Sequence, residues 1–247
     1  LVGSEMCIRD RDNTVATAYL VKPLSLGADI VVNSTSKYIN ANSSAISGVI
    51  TDGGKFKWDT EKYPGMKDFK KFGPFAYTAK LRNGLFRNTG ACLSPQNAFY
   101  NSIGMETLGL RMERVCDNAK TLAQFFATEY SDIEVNYPGL AGSKWHNIAT
   151  EQFGDKFGGI ITIRTGNKKR AFGIIDALKL PLIVSNIGDT KTLVIHPEST
   201  LNVHSTQEEK ETAGVFDDLI RISVGIEDID DLIDDFKQAI ESVKDVY

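Results

Sequence analysis

Cysteine is scarce in this sequence: three residues, Cys7, Cys92 and Cys116, are spread over 247 positions. They form no C-x-x-C pair, so neither a disulfide framework nor a dithiol redox or zinc motif is expected, and a reducing cytoplasm fits best. Histidine is equally sparse. His146, His196 and His204 lack mutual metal-ligand spacing, so they read as structural or surface residues and no metal site is expected. No uninterrupted apolar run reaches the roughly eighteen residues of a membrane span, and no basic, apolar, small-residue leader of the secretory kind is present. Basic residues form no stripe: 28 Lys and Arg are set against 32 Asp and Glu, for a net charge of −4. That balance argues against a nucleic-acid partner, and the densest charge, the acids of 227–235, reads as a solvated helix face. Internal repeats and low-complexity tracts are absent as well.

What remains is a globular composition, 42% hydrophobic and 24% charged, enough for a sizeable core and more than one domain. The run Ala28-Asp29-Ile30-Val31-Val32-Asn33 is short, β-branched and entered through Leu26-Gly27, and reads as a buried strand. Just past it stands Lys37, in Ser34-Thr35-Ser36-Lys37-Tyr38. Ligands of open α/β sheets collect at the carboxyl ends of strands, and a desolvated lysine amine there is placed to act as a nucleophile. Ser34 and Ser36 are suited to donate to a phosphate. Taken alone, the S-x-S-K string is more often a surface lysine in a serine-rich loop, since it is short and its residues are common. Asp12, 25 positions before Lys37, adds a carboxylate of the kind a pyridoxal phosphate site uses to keep the pyridine nitrogen protonated. On its own it also fits a turn-forming aspartate beside Asn13.

Further along, residues 51–90, with Tyr63-Pro64-Gly65 and Gly73-Pro74-Phe75, read as loop and short helix. Ser94-Pro95 starts a helix. Along it Phe99, Ile103, Leu110, Val115, Leu122 and Phe126 recur on one helical face, with a bend or break near Gly104 or Gly109. Residues 159–164, 192–195 and 219–224 read as strands and 171–178 as a helix. Residues 229–243 form a closing amphipathic helix with Leu232, Ile233, Phe236 and Ile240 inward. Arg221 lies within the last strand, flanked by isoleucines. It either reaches into solvent or binds a carboxylate through its planar fork. Asn186, before Ile187-Gly188, is by itself turn chemistry.

Asp12-Asn13-Thr14, Gly27-Ala28-Asp29-Ile30-Val31 and Ser34-Thr35-Ser36-Lys37-Tyr38 together resemble the cofactor region of the Cys/Met-metabolism pyridoxal-phosphate enzymes. The resemblance continues through Gly90-Ala91-Cys92-Leu93-Ser94-Pro95, Leu110-Arg111-Met112-Glu113-Arg114, Asn186-Ile187-Gly188-Asp189, Leu193-Val194-Ile195-His196-Pro197 and 219–227. It implies an α/β chain of the pyridoxal-phosphate-dependent transferase fold, fold type I. Residues 12–88 would be the C-terminal part of the cofactor-binding large domain, and 89–247 an α+β small domain with its long connecting helix. Residues 1–11 resemble a translated adapter tail and lack an apolar approach to a strand, so they are expected to be non-native, with the natural protein extending upstream. Within the family, 49–58 and Asn186 are most similar to the O-acetylhomoserine sulfhydrylases.

The resemblance further implies that Lys37 forms the Schiff base with pyridoxal phosphate and moves protons, Asp12 holds the ring nitrogen, and Ser34 and Ser36 hold the phosphate. Arg221 and Asn186 would bind the substrate carboxylate. The implied reaction is γ-replacement on O-acetylhomoserine by sulfide or methanethiol, giving homocysteine or methionine, in a homo-oligomer built as a dimer of dimers. A γ-lyase or cystathionine γ-synthase of the same family, or a non-catalytic fragment of such an enzyme, is the alternative. Two departures stand out. Asn40-Ala41-Asn42-Ser43-Ser44 replaces the Gly-His and small residue usual after the lysine, and Thr200-Leu201-Asn202 replaces Thr-Thr-His.

Overall fold

A computed structural model describes residues 8–244. By its contacts the chain groups into two compact units. One takes the described residues up to Asn40 together with Ser44–Met105; the other takes Ala41–Ser43 together with those from Glu106 on. The helix predicted from Ser94-Pro95 is therefore shared: α4 (Pro95–Glu106) goes largely with the first unit and α5 (Leu108–Glu129) with the second.

The first unit is built on a three-stranded sheet in the order β1 (Asp10–Asp12), β2 (Ile30–Ser34), β3 (Gly48–Asp52). β1 runs parallel to β2 with Asp12 opposite Val32, and β3 runs antiparallel to β2. Residues 1–7 of the expected non-native tail lie outside the described residues. The part of that tail from Arg9 on does join the sheet without any apolar approach. Arg9 C=O accepts from the Asp29 N–H at 2.8 Å, and Asp10–Asp12 pair through their backbones while all three side chains stay exposed. A sheet ladder needs only main-chain donors and acceptors, so an edge strand can be wholly polar. The strand expected over 28–33 is observed as Ile30–Ser34; Ile30 and Val31 are buried but Val32 is 37% exposed.

Between β1 and β2 lie α1 (Thr17–Leu20) and a 3-10 turn. After β3 come a 3-10 segment (Pro64–Phe75), α2 (Ala76–Lys80), a π-type turn and α3 (Arg87–Thr89), the loop and short helix expected there. This connection is held by rings. Phe56, Trp58 and Tyr63 meet edge-on, and Trp58 stacks on Tyr77 at 5.8 Å.

The second unit is a five-stranded sheet in the order β4 (Glu134–Asn136), β5 (Ile160–Arg164), β8 (Leu219–Ser223), β7 (Leu193–Ile195), β6 (Leu182–Ile183). All its pairings are antiparallel except β6 with β7. Alternation sorts the two faces. Ile161, Ile163, Val194, Ile220 and Ile222 belong to one core with residues of α5, α7 (Lys168–Ala177) and α9 (Ile229–Ser242); α6 (His146–Phe153) and α8 (Gln207–Thr212) are shorter.

On α5 the buried stripe is Met112, Val115, Cys116, Ala119, Leu122, Ala123 and Phe126, a helical i, i+3, i+4, i+7 pattern. The stripe predicted across the whole helix does not hold. Phe99, Ile103 and Leu110 are 58%, 49% and 76% exposed. Thr107 interrupts the helix between the two predicted glycines and resets the phase, which leaves Leu110 off the buried face. On α9, Leu232, Phe236 and Ile240 are buried as expected. Asp228 caps its N-terminus, but Asp235 departs from the solvated acidic face. It is 6% exposed and accepts the N–H groups of Lys179 and Leu180 at 2.9 and 2.8 Å, because a buried carboxylate needs donors.

Candidate active site

In the first unit the site begins at the carboxyl ends of the two parallel strands. β1 ends at Asp12, whose Oδ1 accepts the Thr14 N–H at 2.8 Å. This is the Asx turn that an aspartate followed by Asn and Thr favours. The Thr14 hydroxyl also donates to Asp12, and together these bonds hold the carboxyl below its ordinary value. The same hydroxyl oxygen accepts the Ser34 N–H at 2.8 Å. Thr14 thus joins the end of β1 to the end of β2, and with them the candidate residues Asp12 and Ser34. Sequence reasoning missed Thr14. Its signal was the D-x-T spacing.

The loop after β2 folds back on itself. Asn40 N–H donates to the carbonyls of Thr35 and Lys37 at 3.0 and 3.1 Å, so Lys37 sits inside a closed turn, half-buried. A buried amide supports that turn. Asn101 of α4, 9% exposed, donates to Thr35 Oγ1 at 3.2 Å and to Ser47 Oγ at 2.9 Å, and Thr35 donates to Ser47 at 2.6 Å. α4 can come this close because residue 104 is glycine. A Cβ there would collide with the Ile39 carbonyl oxygen. Ser36 is tied into the same region: its hydroxyl accepts Ser47 N–H at 2.8 Å and donates to Ser47 O at 3.1 Å. That donation is long for an O–H···O bond and exchangeable for a stronger acceptor.

In the second unit Arg221 lies on central strand β8, between Thr162 of β5 and Ile195 of β7. Ile220 and Ile222 point into the helix-packed core, so alternation turns the half-buried Arg221 to the other face. Its guanidinium donates to the Asn186 carbonyl at 3.2 Å, so the two residues expected to bind a carboxylate are brought together. The turn carrying Asn186 is pinned to the same strand, with Gly188 N–H donating to Ser223 Oγ at 3.0 Å.

Two of the histidines have partners of their own. His146 contacts the Pro138 carbonyl at 2.9 Å and stacks on Phe157, His196 is 3% exposed between Ser199 and Asp217, and His204 is at the surface. Among the described residues no His, Cys, Asp or Glu cluster is arranged to hold a metal ion, and no helix is long and apolar enough to cross a membrane.

A lysine beyond a parallel strand, with an aspartate at the end of the neighbouring strand, is the arrangement the resemblance implied, and likeness to solved structures identifies the fold as that of the pyridoxal-phosphate-dependent transferases, fold type I. The fold match is close: an O-acetylhomoserine (thiol)-lyase, so assigned, from Campylobacter jejuni subsp. jejuni, solved with N'-pyridoxyl-lysine-5'-monophosphate, superposes with a TM-score of 0.88 at 34% identity, covering 95% of this chain and 59% of that one. Residues 5–241 match the profile of the Cys/Met metabolism PLP-dependent enzymes, and the chain belongs to that family. It is 41% identical to the O-acetyl-L-homoserine sulfhydrylase of Corynebacterium glutamicum, over 94% of this chain and 56% of the relative. It is 39% identical to the L-methionine gamma-lyase of Fusobacterium nucleatum subsp. polymorphum, over 94% of this chain and 54% of that protein. The chain therefore spans a little over half the length of these relatives.

The residues present fit the family's cofactor. The Thr14 bonds favour the ionised form of Asp12, the form that partners a protonated ring nitrogen, and the hydroxyl-bearing turn that follows β2 supplies donors suited to a phosphate.

Proposed function

We propose that this chain carries part of the active site of a pyridoxal-phosphate-dependent enzyme that replaces the acetoxy group on the γ carbon of O-acetylhomoserine, released as acetate, with the sulfur of sulfide or methanethiol. The products are homocysteine or methionine, together with acetate. The observation that carries this reading is the Thr14 link between the ends of β1 and β2, which sets Asp12 beside the strand that leads into Lys37. Similarity to sulfhydrylases supports the choice of reaction.

When bound, the cofactor supplies an electrophilic carbonyl and a protonated ring that draws electron density from the substrate. Lys37 provides the amine that holds it. Once displaced by the substrate's amino group, the Lys37 amine moves protons at the substrate's α and β carbons. The Asp12 carboxylate keeps the ring-nitrogen proton in place. Ser34 donates to the phosphate, and Ser36 joins it by exchanging its long bond to Ser47 O. Arg221 grips the substrate α-carboxylate with its fork, Asn186 adds a side-chain contact, and the two fix the orientation in which acetate leaves the γ carbon. A homo-oligomer acting in the cytoplasm completes the reading.

γ-Elimination is the second reading, supported by the similarity to a methionine gamma-lyase. Incubation with pyridoxal phosphate, borohydride reduction and peptide mass mapping test the first step: the reading expects the pyridoxyl mass on Lys37 and its loss in Lys37→Ala. Labelling of other lysines alone would overturn it. Product analysis with O-acetylhomoserine plus sulfide, against methionine alone, separates replacement from elimination.

A further inference from the structure

Between Lys37 and β3 the backbone does something only glycine does freely. Ala41 has φ 81° and Ser43 has φ 58°. A side-chain-bearing residue held in the left-handed region is strained and persists where its surroundings over-determine it. At Ser43 those surroundings are visible. Ala41–Ser43 group with the second unit, and the Ser43 hydroxyl accepts from Asn186 Nδ2 at 2.7 Å and donates to Asp189 Oδ2 at 3.0 Å.

The direction of this chain is fixed by the groups themselves. An amide nitrogen only donates and a carboxylate only accepts, so the single hydroxyl proton of Ser43 must point to Asp189 and its lone pair to Asn186. Asp189 is in turn anchored, accepting Lys191 N–H on Oδ1 at 3.0 Å with its side chain 10% exposed. With Nδ2 committed to Ser43, the Asn186 amide keeps one orientation. The backbone carbonyl of the same residue accepts from Arg221 at 3.2 Å.

We propose that Ser43 is a positioning residue: its hydroxyl, braced by Asp189, locks Asn186 and through it the Arg221 guanidinium, so a residue six positions after Lys37 sets affinity for the substrate's α-carboxylate. The inference rests on the reading of Arg221 and Asn186 as the carboxylate contacts.

Strain and hydrogen bonding predict opposite effects, and this separates a positioning role from a structural one. Ser43→Gly removes the hydroxyl and relieves the left-handed backbone; Ser43→Ala removes the hydroxyl and keeps the strain. Both should weaken binding of L-norleucine, which has the α-carboxylate but no leaving group, about 5-fold by calorimetry on cofactor-loaded protein, the loss of roughly one hydrogen bond. Both should raise KM for O-acetylhomoserine by a similar factor, with kcat little changed. Only Ser43→Ala should fail to gain thermal stability. Unchanged norleucine affinity in both variants, alongside a weakened Arg221→Ala, would overturn the role of Ser43 while leaving Arg221 intact. If Arg221→Ala also binds norleucine normally, the carboxylate reading itself falls, and the inference with it.

Discussion

Thr14 binds Asp12 twice, once through its backbone N–H at 2.8 Å and once through its hydroxyl, and these bonds hold the Asp12 carboxyl below its ordinary value of 3.8. A carboxyl lowered in this way stays charged until pH falls through its depressed value. Thr14→Val keeps the backbone bond and loses the hydroxyl. The Asp12 value should then rise toward 3.8, and the acid limb of the bound cofactor's absorbance should move to higher pH, while Thr14→Ser stays near wild type. An acid limb that does not move in Thr14→Val would detach Asp12 from the cofactor.

The turn around Lys37 leans on α4 at two points, which predicts stability effects of different origin. Asn101→Leu strips the donors from Thr35 and Ser47 in a buried setting and should cost about 1–3 kcal/mol. Gly104→Ala drives a methyl group against the Ile39 carbonyl and should cost a similar 1–3 kcal/mol through overpacking. Urea midpoints at constant slope would register both. A Gly104→Ala variant as stable as wild type would mean that α4 is free to retreat from the turn.

Glu198 sits between Lys168 and Lys210, and their hydrogen bonds lower its carboxyl from 4.5 to about 2. The sign follows directly: the stabilisation is complete above the ordinary carboxylate value and disappears as pH falls through about 2. Glu198→Gln should be less stable than wild type near neutrality, and the gap should close toward strongly acid solution. Denaturation curves at a series of pH values would show a constant gap if the pair contributes nothing.

The described thiols should differ sharply in reactivity. Burial pushes Cys116 up to about 11, whereas Cys92 is exposed. Thiolate is the reactive form, so iodoacetamide at mildly alkaline pH should label Cys92 in the folded protein and spare Cys116 until denaturant is added. Mass mapping that finds Cys116 modified first would contradict its place on the buried face of α5.

Periodic, apolar elements were legible in the sequence. β5, β8, α7 and α9 lie close to where side-chain patterning puts them, because each buries one face against the core, and β2 shows through its short β-branched run. What escaped was structure made by backbone and short polar side chains. β1 is a polar edge strand with no pattern to read, and Asp235 looks on paper like any other acid of its helix until two N–H groups are found on it. At the site, Asp12, Lys37 and Arg221 stood out through chemistry and resemblance. Thr14, Asn101 and Ser43 act by hydrogen bonds across 20, 66 and 143 positions, which no local window contains.

The placement of Arg221 on a central strand constrains how this protein can change. β8 is clamped on both sides by β5 and β7, so inserting or deleting one residue upstream in it would turn the arginine toward the isoleucines packed under the helices and send an isoleucine to the opposite side. Drift in length is closed to this segment. Its specificity can evolve only by exchanging side chains in place, or by altering the neighbouring turns that hold the guanidinium.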